Sequence, residues 1–307
     1  MTHFLAPSGR FCDGRLIIDF LVDAIDLPLL NPYLDSVGLQ FFRRGCNFAA
    51  AGSTILPATA TSVSPFSFGI QVAQFSRFKA RVLQLQAKGN KWKKYIPHKM
   101  YFGQALYMLD IGQNDLAGAF QSKSEDQVIA SIPTILVEFE AGLKKLYNEG
   151  ARRFWIHNTG PLGCLPQNIA RFGKDPSQLD NLGCVLSHNR AARLFNLQLH
   201  ALCAKLQGEL TDAHVSYTDV FSIKSDLIAN FSQYGFEHPV MACCGYGETR
   251  VLNGSAVTAA GCNDTSKHVN WDGIHYTEAA NLHVSSQILT GRFSDPIFPG
   301  SMPFLLK

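Results

Sequence analysis

The sequence predicts an α/β fold with a mostly parallel sheet, in one domain that spans residues 1–307. Short apolar, strand-like runs alternate with long amphipathic runs, and this alternation is typical of parallel α/β proteins. Hydrophobic residues make up 46% of the chain and charged residues 17%, so a sizeable core can form. A length of 307 residues suits one large domain or two small ones, and one α/β domain of this size is ordinary.

The first half of the chain alternates between two helices and two strands. Residues 16–24 place apolar side chains at helical spacing, and residues 69–88 repeat this pattern over a longer stretch. Between them, the short run 45–51 leads into a tight turn at Gly52 and is predicted to be a buried strand. Residues 104–110 form another apolar run that ends near a glycine, so they are predicted to be a strand as well.

The second half continues the alternation. Residues 124–148 have a long helical pattern, and residues 151–157 form an apolar, strand-like run that ends at Gly-Pro. Further helices are predicted over 179–209, 222–231 and 277–289, with a further strand over 215–220. Residues 232–270 show little periodicity and are predicted to be a long loop region.

Charge and hydropathy exclude two classes of partner. The formal net charge is only +3 and no Lys/Arg stripe occurs, which argues against nucleic acid. No stretch reaches the roughly 18 apolar residues that a transmembrane helix requires. The N-terminus, Met-Thr-His-Phe-Leu-Ala-Pro, also lacks the basic and apolar regions of a signal peptide.

Cysteines and sequons point instead toward a secreted ancestor. The chain has eight cysteines, an even count that fits disulfides without fixing their connectivity. Candidate N-glycosylation sequons begin at Asn230, Asn253 and Asn263. A structural zinc site is the competing interpretation of the cysteines, and it is disfavoured because no Cys-x-x-Cys pair is present.

Two motifs near strand ends carry groups suited to acyl-transfer chemistry. The Gly/Ala-rich segment 45–52 allows backbone N–H groups to approach a ligand closely, although such a strand end is also an ordinary structural feature. Segment 110–115 contains Asn114, whose amide could donate a hydrogen bond to a developing oxyanion. The alternative for this segment is an Asx turn that caps the next element.

A third motif pairs a histidine with an aspartate. In a serine-hydrolase triad the carboxylate fixes the imidazole tautomer and stabilises the imidazolium, so Asp272 and His275 fit the general-base half of a triad. The alternative is that Asp272 or Thr277 caps the last helix while His275 only packs there. An isolated Asp-x-x-His is a weak signal.

In this order and spacing, the motifs resemble the GDSL family of serine esterases in the SGNH hydrolase superfamily. Three family blocks are matched by Gly52, by Gly112-Gln113-Asn114-Asp115 and by Asp272-Gly273-Ile274-His275. Similarity to plant GDSL esterases/lipases extends to segments 7–16, 32–36, 158–166, 243–247 and 271–280.

The resemblance implies a flavodoxin-like, three-layer α/β/α fold with sheet order 2-1-3-4-5. It implies that His275 is the general base and Asp272 its orienting carboxylate. Gly52 and Asn114 would donate to the oxyanion, with Gly112 and Asp115 supporting them. The family implies no cofactor and no metal. It implies substrates that are esters of small molecules or acylated cell-wall sugars, and some plant relatives are described instead as glycosidases.

The resemblance also implies disulfides and a compartment. It implies a disulfide between Cys164 and Cys184, and a second one between Cys262 and either Cys243 or Cys244. Secretion is implied for full-length family members, whereas this chain begins without a signal peptide.

The family's nucleophile block, Gly-Asp-Ser, does not occur in the 307 residues. In the family it lies on strand 1, upstream of the segment that starts here at Pro7, so Met1 is expected to be internal to a longer parent. Strand 1 would then be missing between strand 2 (45–51) and strand 3 (104–110). Ser36 and Ser53 are disfavoured as replacements.

We therefore expect an esterase ancestry with an impaired or unstable 307-residue chain. A non-catalytic ester- or glycan-binding protein and a non-functional product are the alternatives.

Overall fold

A computed structural model describes residues 9–35, 41–60, 62–244, 250–252, 255–257 and 261–296. The chain divides into two compact units. The sheet unit comprises residues 22–159, 191–219 and 294–307, and the histidine unit comprises residues 1–21, 160–190 and 220–293. A single domain over residues 1–307 stays a prediction.

The described residues contain helices of four to 24 residues and strands of two to five. The α-helices are α1 (Ile17–Asp23), α2 (Phe68–Ala87), α3 (Tyr101–Gln104), α4 (Gln113–Ala119), α5 (Glu125–Asn148), α6 (Pro166–Phe172), α7 (Leu186–Glu209), α8 (Val220–Ala229) and α9 (Glu278–Leu289). The strands are β1 (Leu106–Asp110), β2 (Arg153–His157), β3 (His214–Thr218), β4 (His238–Ala242), β5 (Arg250–Leu252), β6 (Ser255–Val257), β7 (His268–Asn270) and β8 (Ser294–Asp295).

Parallel strands form the centre of the sheet unit. β1 pairs with β2 and β2 with β3, so that Leu106 lies opposite Arg153, which lies opposite His214. The two-residue strand β8 joins β3 in the antiparallel direction. The side chains of β2 and β3 are almost all buried, as expected for parallel strands covered by helices. The predicted α/β fold with a parallel-dominated sheet flanked by helices is confirmed.

Helix α5 shows why the sequence folds this way. Ser124 caps it by accepting from the backbone N–H of Gln127, whose side chain in turn accepts from the Ser124 N–H. Its apolar stripe is buried, and Phe139 packs on Phe68 of α2 at a ring-centroid distance of 5.2 Å. Each such fully buried side chain contributes about 1.5–3 kcal/mol.

The predicted strand at 45–51 is wrong. The described residues there form only a single parallel bridge, between Pro32 and Asn47, and no ladder. Local bonds occupy the polar groups instead: Asn47 Oδ1 accepts from the Ala49 N–H at 2.9 Å, and the Ser53 hydroxyl donates to the Ala50 carbonyl at 2.6 Å. The segment consequently does not join the sheet as strand 2.

Two other boundaries also differ from prediction. Helix α7 begins at Leu186 and not at 179, because Asp180 Oδ1 accepts from the N–H groups of Leu182 and Cys184, each at 2.9 Å, and holds a turn. The predicted loop at 232–270 contains β4 paired with β7 and β5 paired with β6. Three of these four strands have only three residues, which is too short for sequence periodicity to reveal.

Candidate active site

The histidine unit holds a directly bonded Asp–His pair in the loop between β7 and α9. His275 Nδ1 lies 2.7 Å from Asp272 Oδ2, and the His275 backbone N–H donates to Asp272 Oδ1 at 2.8 Å. The imidazole is 37% exposed and the carboxylate 25%. A ring tied to a carboxylate at Nδ1 while remaining accessible can serve as a general base through Nε2.

Backbone hydrogen bonds fix the shape of this loop. The Gly273 N–H donates to Asn270 Oδ1 at 2.6 Å, and the Trp271 N–H donates to the His275 carbonyl at 2.7 Å. Gly273 has φ +98°, a left-handed conformation that glycine adopts without strain. The Gly-Ile pair inside Asp-x-x-His thus turns the chain so that its two functional side chains meet.

Asp272 is held in its charged form. Burial alone would raise the pKa of Asp272, but hydrogen bonds from the side chain and backbone of His275, with a further one from the Ile274 N–H, lower that pKa below its ordinary value. A carboxylate that stays ionised is the species that can stabilise an imidazolium.

Helix α9 is capped by a different residue. The Thr277 hydroxyl accepts from the Ala280 N–H at 3.2 Å, so Thr277 is the N-cap. Asp272 is therefore engaged with His275 and not with the helix.

Sequence reasoning missed Phe11 as a neighbour of the pair. Its ring stacks on His275, with centroids 5.1 Å apart and planes inclined by 22°. Phe11 lies in the segment 7–16, and nothing in sequence spacing links that segment to residue 275.

The sheet unit holds the other predicted group. Asn114 Nδ2 donates to the Ser53 carbonyl at 3.0 Å, which joins segment 110–115 to the turn after Gly52. Helix α4 has Gly112 as its N-cap residue, without a side-chain cap, so Asn114 is not a capping Asx residue. An amide carries two N–H donors, and this bond uses one of them.

Asp115 clamps the same turn from the other side. Its two carboxylate oxygens accept from the N–H groups of Ile55 at 2.7 Å and Leu56 at 3.0 Å. Burial raises the pKa of Asp115, while these two bonds act in the opposite direction. Gly52 lies in the turn with φ +76°. The predicted residues Gly52, Asn114 and Asp115 are thus brought to one place.

Gly112 is required by both conformation and space. Its φ is +118°, and a Cβ there would lie 2.6 Å from Cζ of Phe195 in α7. The tight turn between β1 and α4 therefore admits no side chain.

The two serines considered as replacement nucleophiles have different outcomes. The Ser53 hydroxyl donates to Ala50 and the side chain is buried, an arrangement that serves the turn. Ser36 lies outside the described residues.

Two disulfides are present, Cys164–Cys184 and Cys243–Cys262, with Cα–Cα distances of 4.3 and 4.9 Å. Of the two alternatives for Cys262, the partner is Cys243 and not Cys244. Within the described residues, His268 completes a Cys243–Cys262–His268 cluster, but cysteines joined in a disulfide offer no thiolate to a metal.

The sequons differ in their surroundings. Asn230 Nδ2 donates to Asp226 at 2.7 Å, and Asn263 is exposed. Asn253 lies outside the described residues. Among the helices of the described ranges, none combines the length and apolar character needed to cross a bilayer.

Comparison with known proteins identifies the family to which the chain belongs. The sequence profile of the family described as GDSL-like Lipase/Acylhydrolase matches residues 4–288, and the chain belongs to that family. GDSL esterase/lipase At1g54790 of Arabidopsis thaliana is 59% identical over 345 aligned positions, covering 99% of this chain and 85% of the relative. GDSL esterase/lipase ENOD8 of Medicago truncatula is 43% identical over 311 positions, covering 96% and 80%.

Proposed function

We propose that His275 is the general base of a carboxylic-ester hydrolase and that Asp272 orients it. The observation that carries this role is the 2.7 Å bond between His275 Nδ1 and Asp272 Oδ2. Since Nδ1 is committed to the carboxylate, Nε2 is the atom that accepts the proton of an attacking serine. The same atom then returns that proton to the departing alcohol.

Asn114 and the Gly52 N–H stabilise the oxyanion in this proposal. The bond from Asn114 to the Ser53 carbonyl fixes the amide plane and leaves its second N–H for a ligand. Asp115 supports the donors indirectly, because it holds the Ile55 and Leu56 backbone beside them. A donor fixed before the reaction stabilises developing charge without reorganisation.

The proposed substrates are carboxylic esters of small molecules or acylated cell-wall sugars. Secretion belongs to the same proposal, and the two disulfides support it because disulfides persist in oxidising compartments. The 307 residues alone do not turn over esters in this account, because they contain no Gly-Asp-Ser nucleophile.

Ester hydrolysis tests these roles. We would compare the 307-residue chain with a longer version in which a Gly-Asp-Ser segment from a relative precedes Met1, using p-nitrophenyl acetate and acetylated xylo-oligosaccharides. Turnover by the longer version alone is expected. In that version Asp272→Asn should lower kcat by about 10⁴-fold, the effect of losing the correct imidazole tautomer.

Two results would change the conclusion. Unchanged kcat in Asp272→Asn would remove the pair from the mechanism. Saturable binding of the oligosaccharide with no hydrolysis by the longer version would favour a binding protein instead.

A further inference from the structure

The ring of Phe11 lies flat against the proposed general base. The two ring centroids are 5.1 Å apart and the planes differ by 22°, which is a stacked geometry. Phe11 is 55% exposed, so its contact with His275 is not a by-product of deep burial in a core. A large apolar side chain held at the surface against a functional imidazole calls for a physical reason.

The main chain on both sides of Phe11 is anchored. On one side, Arg10 forms a two-bond ion pair with Asp19, through Nε and Nη2 at 2.7 Å each, and Asp19 is only 3% exposed. On the other side, Asp13 Oδ1 accepts from the Glu278 N–H at 2.7 Å. Such charge-assisted bonds fix position as well as contributing stability. These bonds therefore hold Phe11 in position against His275.

A second tie fastens this segment to helix α9. Arg15 Nε donates to Glu278 Oε1 at 2.6 Å, and Asn281 Nδ2 donates to the Arg15 carbonyl at 3.0 Å. Helix α9 begins three residues after His275, so one element fixes the segment bearing Phe11 and the loop bearing the imidazole.

A histidine ring needs more than one contact to hold its orientation. The bond to Asp272 fixes one ring atom, whereas the torsion about the Cβ–Cγ bond of histidine has broad minima. A flat ring packed on one face fixes the plane, which a single hydrogen bond does not.

We propose that Phe11 is a positioning residue for His275. By stacking on the imidazole, it holds Nδ1 on Asp272 and presents Nε2 in a constant direction. This inference rests on the proposed function of His275, and Phe11 itself touches neither substrate nor reacting atoms in it.

The test uses the 307-residue chain and needs no turnover. In ¹⁵N-labelled protein, the His275 Nδ1 proton that is bonded to Asp272 gives its own imidazole resonance, and its exchange with water reports opening of that bond. We would compare wild type with Phe11→Ala, Phe11→Leu and Phe11→Tyr. Phe41→Ala is the matched control, since Phe41 is 49% exposed and also contacts an aromatic ring, that of Tyr95, with centroids 5.2 Å apart.

The expected result is faster exchange in Phe11→Ala and Phe11→Leu, by about 2- to 10-fold for the loss of an aromatic pair. Phe11→Tyr keeps the flat ring and should exchange at the wild-type rate, as should Phe41→Ala. Phe11→Leu keeps an apolar side chain of similar size but removes the flat ring, so it tests the proposal even if Phe11→Ala does not fold.

Wild-type exchange in Phe11→Leu would overturn the proposal, and so would fast exchange in Phe11→Tyr. Asp272→Asn separates this failure from that of the proposed function. If Asp272→Asn leaves the Nδ1 resonance unchanged, the Asp272–His275 bond is absent and the proposed function fails with it. If Asp272→Asn shifts that resonance while Phe11→Leu exchanges at the wild-type rate, only the proposal for Phe11 fails.

Discussion

Replacing Asp115 by alanine should destabilise the sheet unit strongly. The carboxylate accepts two backbone N–H groups, those of Ile55 and Leu56, at 2.7 and 3.0 Å. Alanine leaves both donors without an acceptor next to Ile55, which is only 1% exposed. Each buried unpaired donor costs about 1–3 kcal/mol.

The net effect is smaller than the sum of the two donors. Burial raises the pKa of Asp115, which means that the folded protein bears a cost for holding this group ionised, and alanine removes that cost. We therefore expect Asp115→Ala to lower the free energy of unfolding by about 2–4 kcal/mol. Asp115→Asn keeps one acceptor oxygen and should lose about half as much.

Urea unfolding, followed by tryptophan fluorescence, measures the difference in the free energy of unfolding between variant and wild type. A shift of the midpoint with an unchanged m-value reports that difference. Asp23→Ala is the control, because Asp23 is an exposed aspartate of the same unit and its loss should change stability by less than about 0.5 kcal/mol. Equal midpoints for Asp115→Ala and Asp23→Ala would refute the clamp.

The sign of the pH effect is a second check on the same residue. A folded pKa raised above the unfolded value gives a stability contribution that is full below the unfolded pKa and is lost as pH rises through the folded pKa. The stability advantage of wild type over Asp115→Asn should therefore shrink as pH rises, and an advantage that grows would contradict the raised pKa of Asp115.

Three further predictions concern the Asp272–His275 pair, Gly112 and the Cys164–Cys184 disulfide. Although burial would raise it, hydrogen bonds from His275 lower the pKa of Asp272, so the contribution of this group to stability is present above the unfolded pKa and is lost as pH falls through the folded pKa. Asp272→Asn should abolish this loss, which urea midpoints taken from about pH 5 downward would measure. Gly112 has φ +118°, and Gly112→Ala would place a Cβ 2.6 Å from Cζ of Phe195. This substitution should lower the free energy of unfolding by about 1–3 kcal/mol, which calorimetry would detect. Replacing Cys164 and Cys184 by serine opens a loop with a sequence separation of 20 and should lower the free energy of unfolding by about 3 kcal/mol. The double variant has no Cys164–Cys184 bridge left to reduce, so adding a reductant should cause no further loss from that bridge.

Periodicity predicted most of the regular structure. The helix predicted at 124–148 lies at Glu125–Asn148, because it buries a repeating set of apolar side chains. The strand predicted at 104–110 lies at Leu106–Asp110, where Leu109 is buried and the three residues before it are half-buried. Segment 45–51 had the composition of a strand but forms a single bridge, since pairing depends on a partner that local sequence does not specify.

The candidate site divides in the same way. Asp272 and His275 are three positions apart, and their residue types suggested a pair, but the resemblance to GDSL esterases was needed to favour that pair over a helix cap. The Asp115 clamp joins residues 60 positions apart, and the stack of Phe11 on His275 joins opposite ends of the chain. Contacts of that kind arise only from tertiary packing, and no periodicity in the sequence encodes them.

Labelling by a fluorophosphonate, measured as the intact mass of the protein, tests the central claim that His275 acts as the general base for a serine nucleophile. The probe reacts with a serine activated by such a base. We predict that the longer version with Gly-Asp-Ser gains one adduct, that its His275→Ala variant gains none, and that the 307-residue chain gains none. An adduct on the 307-residue chain, or equal labelling of the longer version with and without His275, would contradict the account.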